Sequence, residues 1–345
     1  MKHTLYALFF MATSLIMAQT ETTKDTIINY SGSRPDGHAP ISVMGDHTHG
    51  KGEFMLSYKF MQMNMEDILV GNNNASSESL LMPNGGAYMV TPLNMPMQMH
   101  MFGAMYAPSN NTTLYVMANY MSMEMDHITA MNMSFTTKSS GLGDTKVGIL
   151  YNFWKKKRSK IHGNFGLSLP TGSIDNEDVT PASGGNNVIL PYPMQTGSGT
   201  IDLDLGATYL TQGDVWSFGS QLKGLIRVDE NNNGYTLGNR YSLNNWFAVK
   251  ANNWISFSAR LEGVFVEGIK SANPDLNPNM IITANTSNSG GEFINSGLGV
   301  NFYVPKGPFK NLRLGLEYAE PLFQNVNGIQ LKTEETFTAG LQYAF

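Results

Sequence analysis

The stretch Thr200-Ile201-Asp202-Leu203-Asp204-Leu205-Gly206-Ala207-Thr208-Tyr209 sorts into two faces when read with a period of two. Ile201, Leu203, Leu205, Ala207 and Tyr209 fall on one side; Asp202, Asp204, Gly206 and Thr208 fall on the other. Successive side chains of a strand point to opposite faces, so this is a strand with one apolar and one polar surface. The division recurs at Ile161/Gly163/Phe165/Leu167/Leu169 against His162/Asn164/Gly166/Ser168. It recurs again at Ile255/Phe257/Ala259/Leu261 against Ser256/Ser258/Arg260/Glu262, and at Leu312/Leu314/Leu316/Tyr318 against Arg313/Gly315/Glu317.

Working outward, twelve segments carry this signature: 53–65, 95–106, 112–125, 143–154, 160–170, 200–211, 214–228, 237–250, 253–268, 292–304, 310–320 and 334–345. Each is long enough to cross a bilayer as a tilted strand, which takes about nine to eleven residues. An even number is what a closed bacterial barrel needs. The connections alternate in length. Segments 107–111, 155–159, 212–213, 251–252 and 305–309 are short, whereas 66–94, 126–142, 171–199, 229–236, 269–291 and 321–333 are long. Outer-membrane barrels have short periplasmic turns and longer external loops, which puts both termini in the periplasm. The expected fold is therefore all-β: a transmembrane antiparallel barrel in a bacterial outer membrane. No internal stretch reads as a membrane helix. The uncharged run 79–123 is broken by Pro83, Pro92, Pro96 and Pro108. Trp154, Trp216, Trp246, Trp254, Phe302 and Tyr318 are expected in interfacial girdles. The C-terminal Leu341-Gln342-Tyr343-Ala344-Phe345 resembles the terminal signature read by the barrel-assembly machinery.

The N-terminus reads as an export signal. Lys2 and His3 precede the apolar run 4–17, which is too short to span, and Ala18 offers a small residue for cleavage. We divide the chain into a Sec signal peptide over 1–18, a periplasmic N-terminal segment over 19–52 that is either a tail or tucked into the lumen, and a barrel over 53–345. The formal charge is −5 with 14% charged residues, which gives no electrostatic reason for a nucleic-acid partner. The run Lys155-Lys156-Lys157-Arg158 is a solvated turn on this reading. The absence of cysteine excludes disulfides, a lipidated cysteine and thiolate chemistry. No Gly-x-Ser-x-Gly element, Walker loop or dinucleotide fingerprint is present. Asp202 and Asp204 read as polar lining beside Lys146, Lys223, Arg227, Arg260 and Arg313, and an enzyme is not expected.

Methionine is the unusual feature. Residues 44–133 hold 18 of the chain's 23 methionines. Met61, Met63 and Met65 share one strand face, as do Met95, Met97, Met99 and Met101, and Met121, Met123 and Met125. On the first strand the methionine face also carries Lys59, and charge on a lipid face is costly, so this face is lumenal. The third strand follows the same logic through Asn119. The second is ambiguous, because its other face carries both Gln98 and His100 and Phe102 and Tyr106. All three runs sit toward the long-loop ends and would meet at an extracellular mouth. Thioether sulfur is a soft ligand suited to Cu(I) or Ag(I), and His47, His49, His100 and His127 could add imidazoles. His38 and the ligand-dense Met44-Gly45-Asp46-His47-Thr48-His49 belong to the same reading. The plainer reading is methionine as an adaptable apolar surface or packing filler.

Ser140-Gly141-Leu142-Gly143-Asp144-Thr145-Lys146-Val147-Gly148, followed by Leu167-Ser168-Leu169-Pro170-Thr171-Gly172-Ser173, resembles the outer-membrane barrel family named for a meta-pathway of phenol degradation. The likeness covers about 140–345. Upstream, His38-Ala39-Pro40-Ile41, Val43-Met44-Gly45-Asp46-His47 and Phe54-Met55-Leu56-Ser57-Tyr58 resemble a methionine-rich branch of such barrels. The resemblance implies an outer-membrane transporter and carries no site residues. The expectation is a channel that binds or passes a soft metal, or another small solute, through a methionine-rich mouth. Two other functions stay open: a channel for small apolar or aromatic solutes, and a non-transporting scaffold or adhesin acting through loops 171–199 and 269–291.

Overall fold

The computed structural model describes residues 29–345, so the signal peptide expected over 1–18 lies outside the described residues. Twelve antiparallel strands close into one barrel. They are β1 (Phe54–Val70), β2 (Val90–Tyr106), β3 (Thr112–Thr129), β4 (Ser134–Leu142 continued by Thr145–Lys156), β5 (Ser159–Leu169) and β6 (Asp202–Gln212). The other half is β7 (Trp216–Arg227), β8 (Arg240–Lys250), β9 (Ile255–Val266), β10 (Gly291–Tyr303), β11 (Leu312–Val326) and β12 (Ile329–Ala344). Each strand pairs with its sequence neighbours, and β12 returns to β1, with Met55 opposite Ala344 and Val70 opposite Ile329. Closure leaves no free edge, which is the condition for a sheet to cross lipid.

The faces are inverted relative to a water-soluble protein. Leu56, Phe165, Leu222, Leu243, Phe257, Leu261, Leu298 and Leu314 are exposed on the outside. Asp202, Asp204, Arg260, Arg313 and Glu317 are buried inside. An apolar belt of this kind is solvated by acyl chains, and the molecule is an outer-membrane barrel. Trp154, Trp216 and Trp254 stand on the outer face toward the short turns, where Trp216 stacks on Phe247 and Trp254 on Phe302. Leu261 lies near the middle of β9, so Leu261→Arg is expected to destabilise the barrel by about 2–4 kcal/mol, read as a lowered urea midpoint in liposomes. An unchanged midpoint would move that face out of the lipid.

Three details differ from the sequence reading. Trp246 is not in the girdle. It is 2% exposed and packs inside against Ala39, Val43 and Leu210. Trp246 and Phe247 are adjacent aromatics, so composition could not say which faced in. Gly219, directly opposite Trp246, makes the room: a Cβ there would lie 2.1 Å from the indole. Second, connection 126–142 shrinks to a turn over 130–133 in which Asn132 takes φ 57°. Third, connection 321–333 shrinks to Asn327-Gly328, with Gly328 at φ 63°. The strands there run beyond the apolar belt, where the outer face meets water and the inner face packs under a loop, so no lipid-facing hydrophobic alternation is required. Glu124 and Lys138 pair across the β3–β4 extension at 2.9 Å on its exposed outer face.

Candidate functional site

The lumen is occupied by the chain's own residues 30–49, which form a plug. Pro35, Gly37, Pro40 and Gly45 keep this segment out of regular structure, and Gly45 sits at φ 68°. Its backbone groups must therefore bond elsewhere, and the barrel wall supplies the partners. Arg313 donates from Nη1 to Pro35 O at 2.8 Å and from Nη2 to Arg34 O at 2.7 Å. Ser256 Oγ also donates to Pro35 O at 2.8 Å. Lys59 Nζ donates to Ile41 O at 2.6 Å and contacts Met44 Sδ at 3.0 Å. Gln221 Nε2 donates to Met44 O at 3.1 Å, and His162 Nε2 meets Gly45 O at 3.0 Å. Glu317 Oε2 accepts the Ser42 amide at 3.1 Å.

Shape fixes the plug as well as polarity. Ile41 lies over Gly315 and Gly340, a directly opposed pair on β11 and β12. A Cβ on Gly340 would come within 2.7 Å of the Ile41 side chain. Within the plug, Asp46 accepts the Ala39 amide at 2.8 Å and faces His47 Nδ1 at 2.8 Å. Burial pushes the Asp46 carboxyl up, but His47, the Ala39 amide and Lys59 outweigh it and hold the group well below the usual carboxylate range.

Two spaces flank the plug. Toward the short turns is a cavity of about 590 Å³ with Tyr30, His38, His47, His49 and Glu53 in its wall. Toward the long loops is a chamber of about 470 Å³ whose floor includes Ser42, Val43 and Met44. One side of this chamber carries Met61 and Met63. Charged groups line the rest: Asp204 bridges Lys146 at 3.2 Å and Lys223 at 3.0 Å, and Arg260 bridges Glu262 at 3.0 Å and Glu317 at 2.6 Å. Asp202 pairs with Arg227 above them.

The methionine runs do meet. Met61 opposes Met99 and Met99 opposes Met121; Met63 opposes Met97 and Met97 opposes Met123. Directly opposed residues share a face, so the ambiguous second run is lumenal with the other two. The outer rungs are consumed by packing. Met95, Met123 and Met125 form a buried cluster with Leu190 and Met194 of the long loop after β5, and Met65 and Met97 pack against it. Met101 sits lower, in a crevice with Met55 and Met105 beside the plug.

The expected histidines separate. His100 is on the outer face, bonded to Tyr58 OH at 2.9 Å, and cannot reach the methionines. Odd parity sends Met99 and Met101 inward, and so its even-numbered neighbour outward. His127 follows Met125 on the inner face, but its Nε2 is taken by Thr137 Oγ1 at 2.9 Å and its ring stacks on Phe135. His47 and His49 lie on the plug, below the chamber that Met61 and Met63 face. The plug clamps Lys59, Gln221, Arg313 and Glu317 were not singled out as site residues by sequence. Their signal was present: charged or amide residues on otherwise small, lumenal strand faces.

The Gly143-Asp144 break in β4 is an anchor for the long loop after β5. Asp144 accepts the Gly172 amide at 3.2 Å, the Ser198 amide at 2.9 Å and Ser198 Oγ at 2.6 Å. Thr171 Oγ1 donates to Gly143 O at 2.8 Å. Gly172 and Gly197 touch so closely that a Cβ on Gly172 would lie 2.6 Å from Gly197 Cα. The paired Gly-Leu-Gly-Asp and Leu-Pro-Thr-Gly motifs thus tie the loop's base to the barrel rim.

Comparison with known proteins agrees with this architecture. An outer-membrane channel from Pseudomonas putida F1 superposes with a TM-score of 0.59, covering 87% of this chain and 98% of that one at 12% identity. The TodX monoaromatic hydrocarbon channel, as a deltaS2 mutant, gives 0.46 over 87% of this chain and 91% of that one at 9% identity. At 12% identity the likeness to the Pseudomonas putida channel is one of fold alone. No curated protein matches the chain in sequence. Residues 82–333 match the family model described as "Putative MetA-pathway of phenol degradation". The match takes in the methionine strands β2 and β3 and starts well upstream of the resemblance quoted from residues 140–345. The chain belongs to that family of barrels.

Proposed function

We propose that this protein is an outer-membrane channel for small solutes, closed in this conformation by its own N-terminal segment. The carrying observation is the pair of chambers on either side of a plug that is held by side-chain bonds from the wall. The solute class best matched to the outer chamber is a small, mainly apolar molecule with a polar group. Met61 and Met63 offer it a flexible thioether surface. The opposite charges are mutually paired, so the wall carries polar handles without a strong net field. Cells expressing the barrel should take up a labelled monoaromatic compound faster than cells lacking it. Uptake should persist in the presence of chelators and fall severalfold with Met61→Glu and Met63→Glu. Equal uptake with and without the barrel would sink this reading.

One observation favours a second reading. Opposed strand residues have Cβ atoms about 4.5–5.5 Å apart, and the rung Met61–Met99–Met121, with Met63 beside it on the chamber wall, stacks soft ligands at that spacing. Such a wall suits Cu(I) or Ag(I). Anaerobic titration of the refolded barrel with Cu(I) against a chromophoric chelator tests it. The variant has Met61, Met63, Met97, Met99, Met121 and Met123 changed to Leu. Binding by the parent and its loss in the variant is the expected result for a soft-metal channel; equal or absent binding in both removes the metal from the methionine wall.

A further inference from the structure

We propose that the plug binds one divalent transition-metal ion through the imidazoles of His38, His47 and His49, with Asp46 as the adjoining negative charge. The site is separate from the methionine wall and does not depend on what the channel passes. One ligand atom each from His38, Asp46 and His47 lie within 4.8 Å of one another. The His38 and His47 rings are 3.8 Å apart between centroids, and the His47 and His49 rings 4.9 Å. His47 and His49 are only 4% and 8% exposed.

The free nitrogens are the decisive feature. His47 Nε2, His49 Nε2 and His38 Nδ1 are all buried without a hydrogen-bond partner. An unsatisfied buried polar group costs about 1–3 kcal/mol, so the free nitrogens of His38 and His47, with His49 stacked beside His47, call for a shared partner that accepts lone pairs. A metal ion is such a partner. The opposite nitrogens are already held: His47 Nδ1 by Asp46 at 2.8 Å, and His49 Nδ1 by Glu53 at 3.3 Å. A carboxylate behind a ligating imidazole fixes the tautomer and raises its basicity. With metal–nitrogen bonds of about 2.0–2.1 Å, ligand atoms sit roughly 3.4 Å apart. The half-buried His38 has the freedom to turn and close the set.

The surroundings are compatible. The nearby cations are engaged elsewhere, Lys160 with Thr48 Oγ1 at 3.3 Å and Arg313 with the plug carbonyls. All three histidines border the cavity at the short-turn end, which gives an ion a route in. Residue 38 and residues 47–49 lie on opposite limbs of the plug, so an ion joining them would staple it shut.

The test uses the full mature chain without a histidine tag, refolded in detergent and titrated with Zn2+ against a chromophoric chelator. One equivalent should bind. His38→Ala with His47→Ala removes two ligands and should weaken binding by more than the roughly hundredfold that loss of an outer-shell partner can cost, whereas the six-fold Met→Leu variant should bind as the parent does. Heat-modifiable gel migration reports whether each barrel is folded. If the double variant fails to fold, His38→Gln alone serves, because that side chain is half-buried, and a loss of about tenfold is expected. No stoichiometric binding by the folded parent, or unchanged binding in the folded histidine variants, would overturn the site. Conductance is not measured in this titration, so failure here leaves the channel reading standing, and failure of the channel reading leaves the site standing.

Discussion

Deleting residues 30–49 is expected to convert a silent barrel into a conducting one. In planar bilayers the parent should show no steady unitary current, and the deletion variant should show discrete open levels. The barrel can survive the loss because its own hydrogen-bond ladder closes without the plug, from Met55 opposite Ala344 round to Gly291 opposite Val326. The wall groups that grip the plug, Lys59, Arg313, Gln221 and Glu317, would be released into water rather than into lipid. Rehydration replaces their bonds at little cost, since a net protein hydrogen bond is worth only about 0.5–1.5 kcal/mol. A barrel of this size then leaves a narrow aqueous path. A milder variant separates gating from truncation. Gly340→Leu would drive a side chain into Ile41, which already lies 2.7 Å from where a Cβ would stand. It should give intermittent openings with the full chain present. A deletion variant that folds but stays silent would mean that the long loops, not the plug, seal the lumen.

Much of this architecture was legible because alternation is imposed by lipid. Asp202, Asp204, Arg260, Arg313 and Glu317 could only face inward, and they do. The inward orientation of Met61 followed from Lys59 on the same face by the same rule. Legibility ended where lipid ended. Above the belt, Glu124, Asp126 and Lys138 put charge on the outer face of the strands, so no lipid-facing apolar alternation marked them and the turns at Asn132 and Gly328 were hidden inside apparent loops. Inside the lumen, contact is set by register, and register is not written in composition. Met61 opposite Met99, rather than Met97, is a fact of pairing alone. The gathering of His38 beside His47 depends on the plug's turn through Pro40 and Gly45, which follows no period at all. Trp246 and Phe247 show the same limit in one pair, since two neighbouring aromatics must face opposite ways and only the glycine across the sheet decides which turns in.

The largest loss of stability is expected at Arg260. Its guanidinium holds three partners at once: Glu317 at 2.6 Å, Glu262 at 3.0 Å and Asn244 at 3.0 Å. Arg260 and Glu317 are 8% and 2% exposed, so solvent screens them poorly. Arg260→Met would keep most of the volume and strip Glu317 and Glu262 of the cation that contacts both, leaving each only a more distant one, Lys59 and Arg240. Breaking a buried pair from one side costs about 3–5 kcal/mol, because the remaining charge is uncompensated. Urea unfolding in liposomes should show that loss as a lowered midpoint with an unchanged slope. Arg260→Met combined with Glu317→Leu should recover part of it, since the more deeply buried carboxylate is then removed with its cation, while Glu262 keeps the amides of Asn244 and Asn295. The double variant should nevertheless conduct more than the parent. Glu317 also accepts the Ser42 amide, and Leu at that position frees the plug from one of its wall bonds. Recovered stability together with raised conductance would mean that one carboxylate serves the fold through Arg260 and the gate through Ser42. Recovery with unchanged silence would confine its role to the fold.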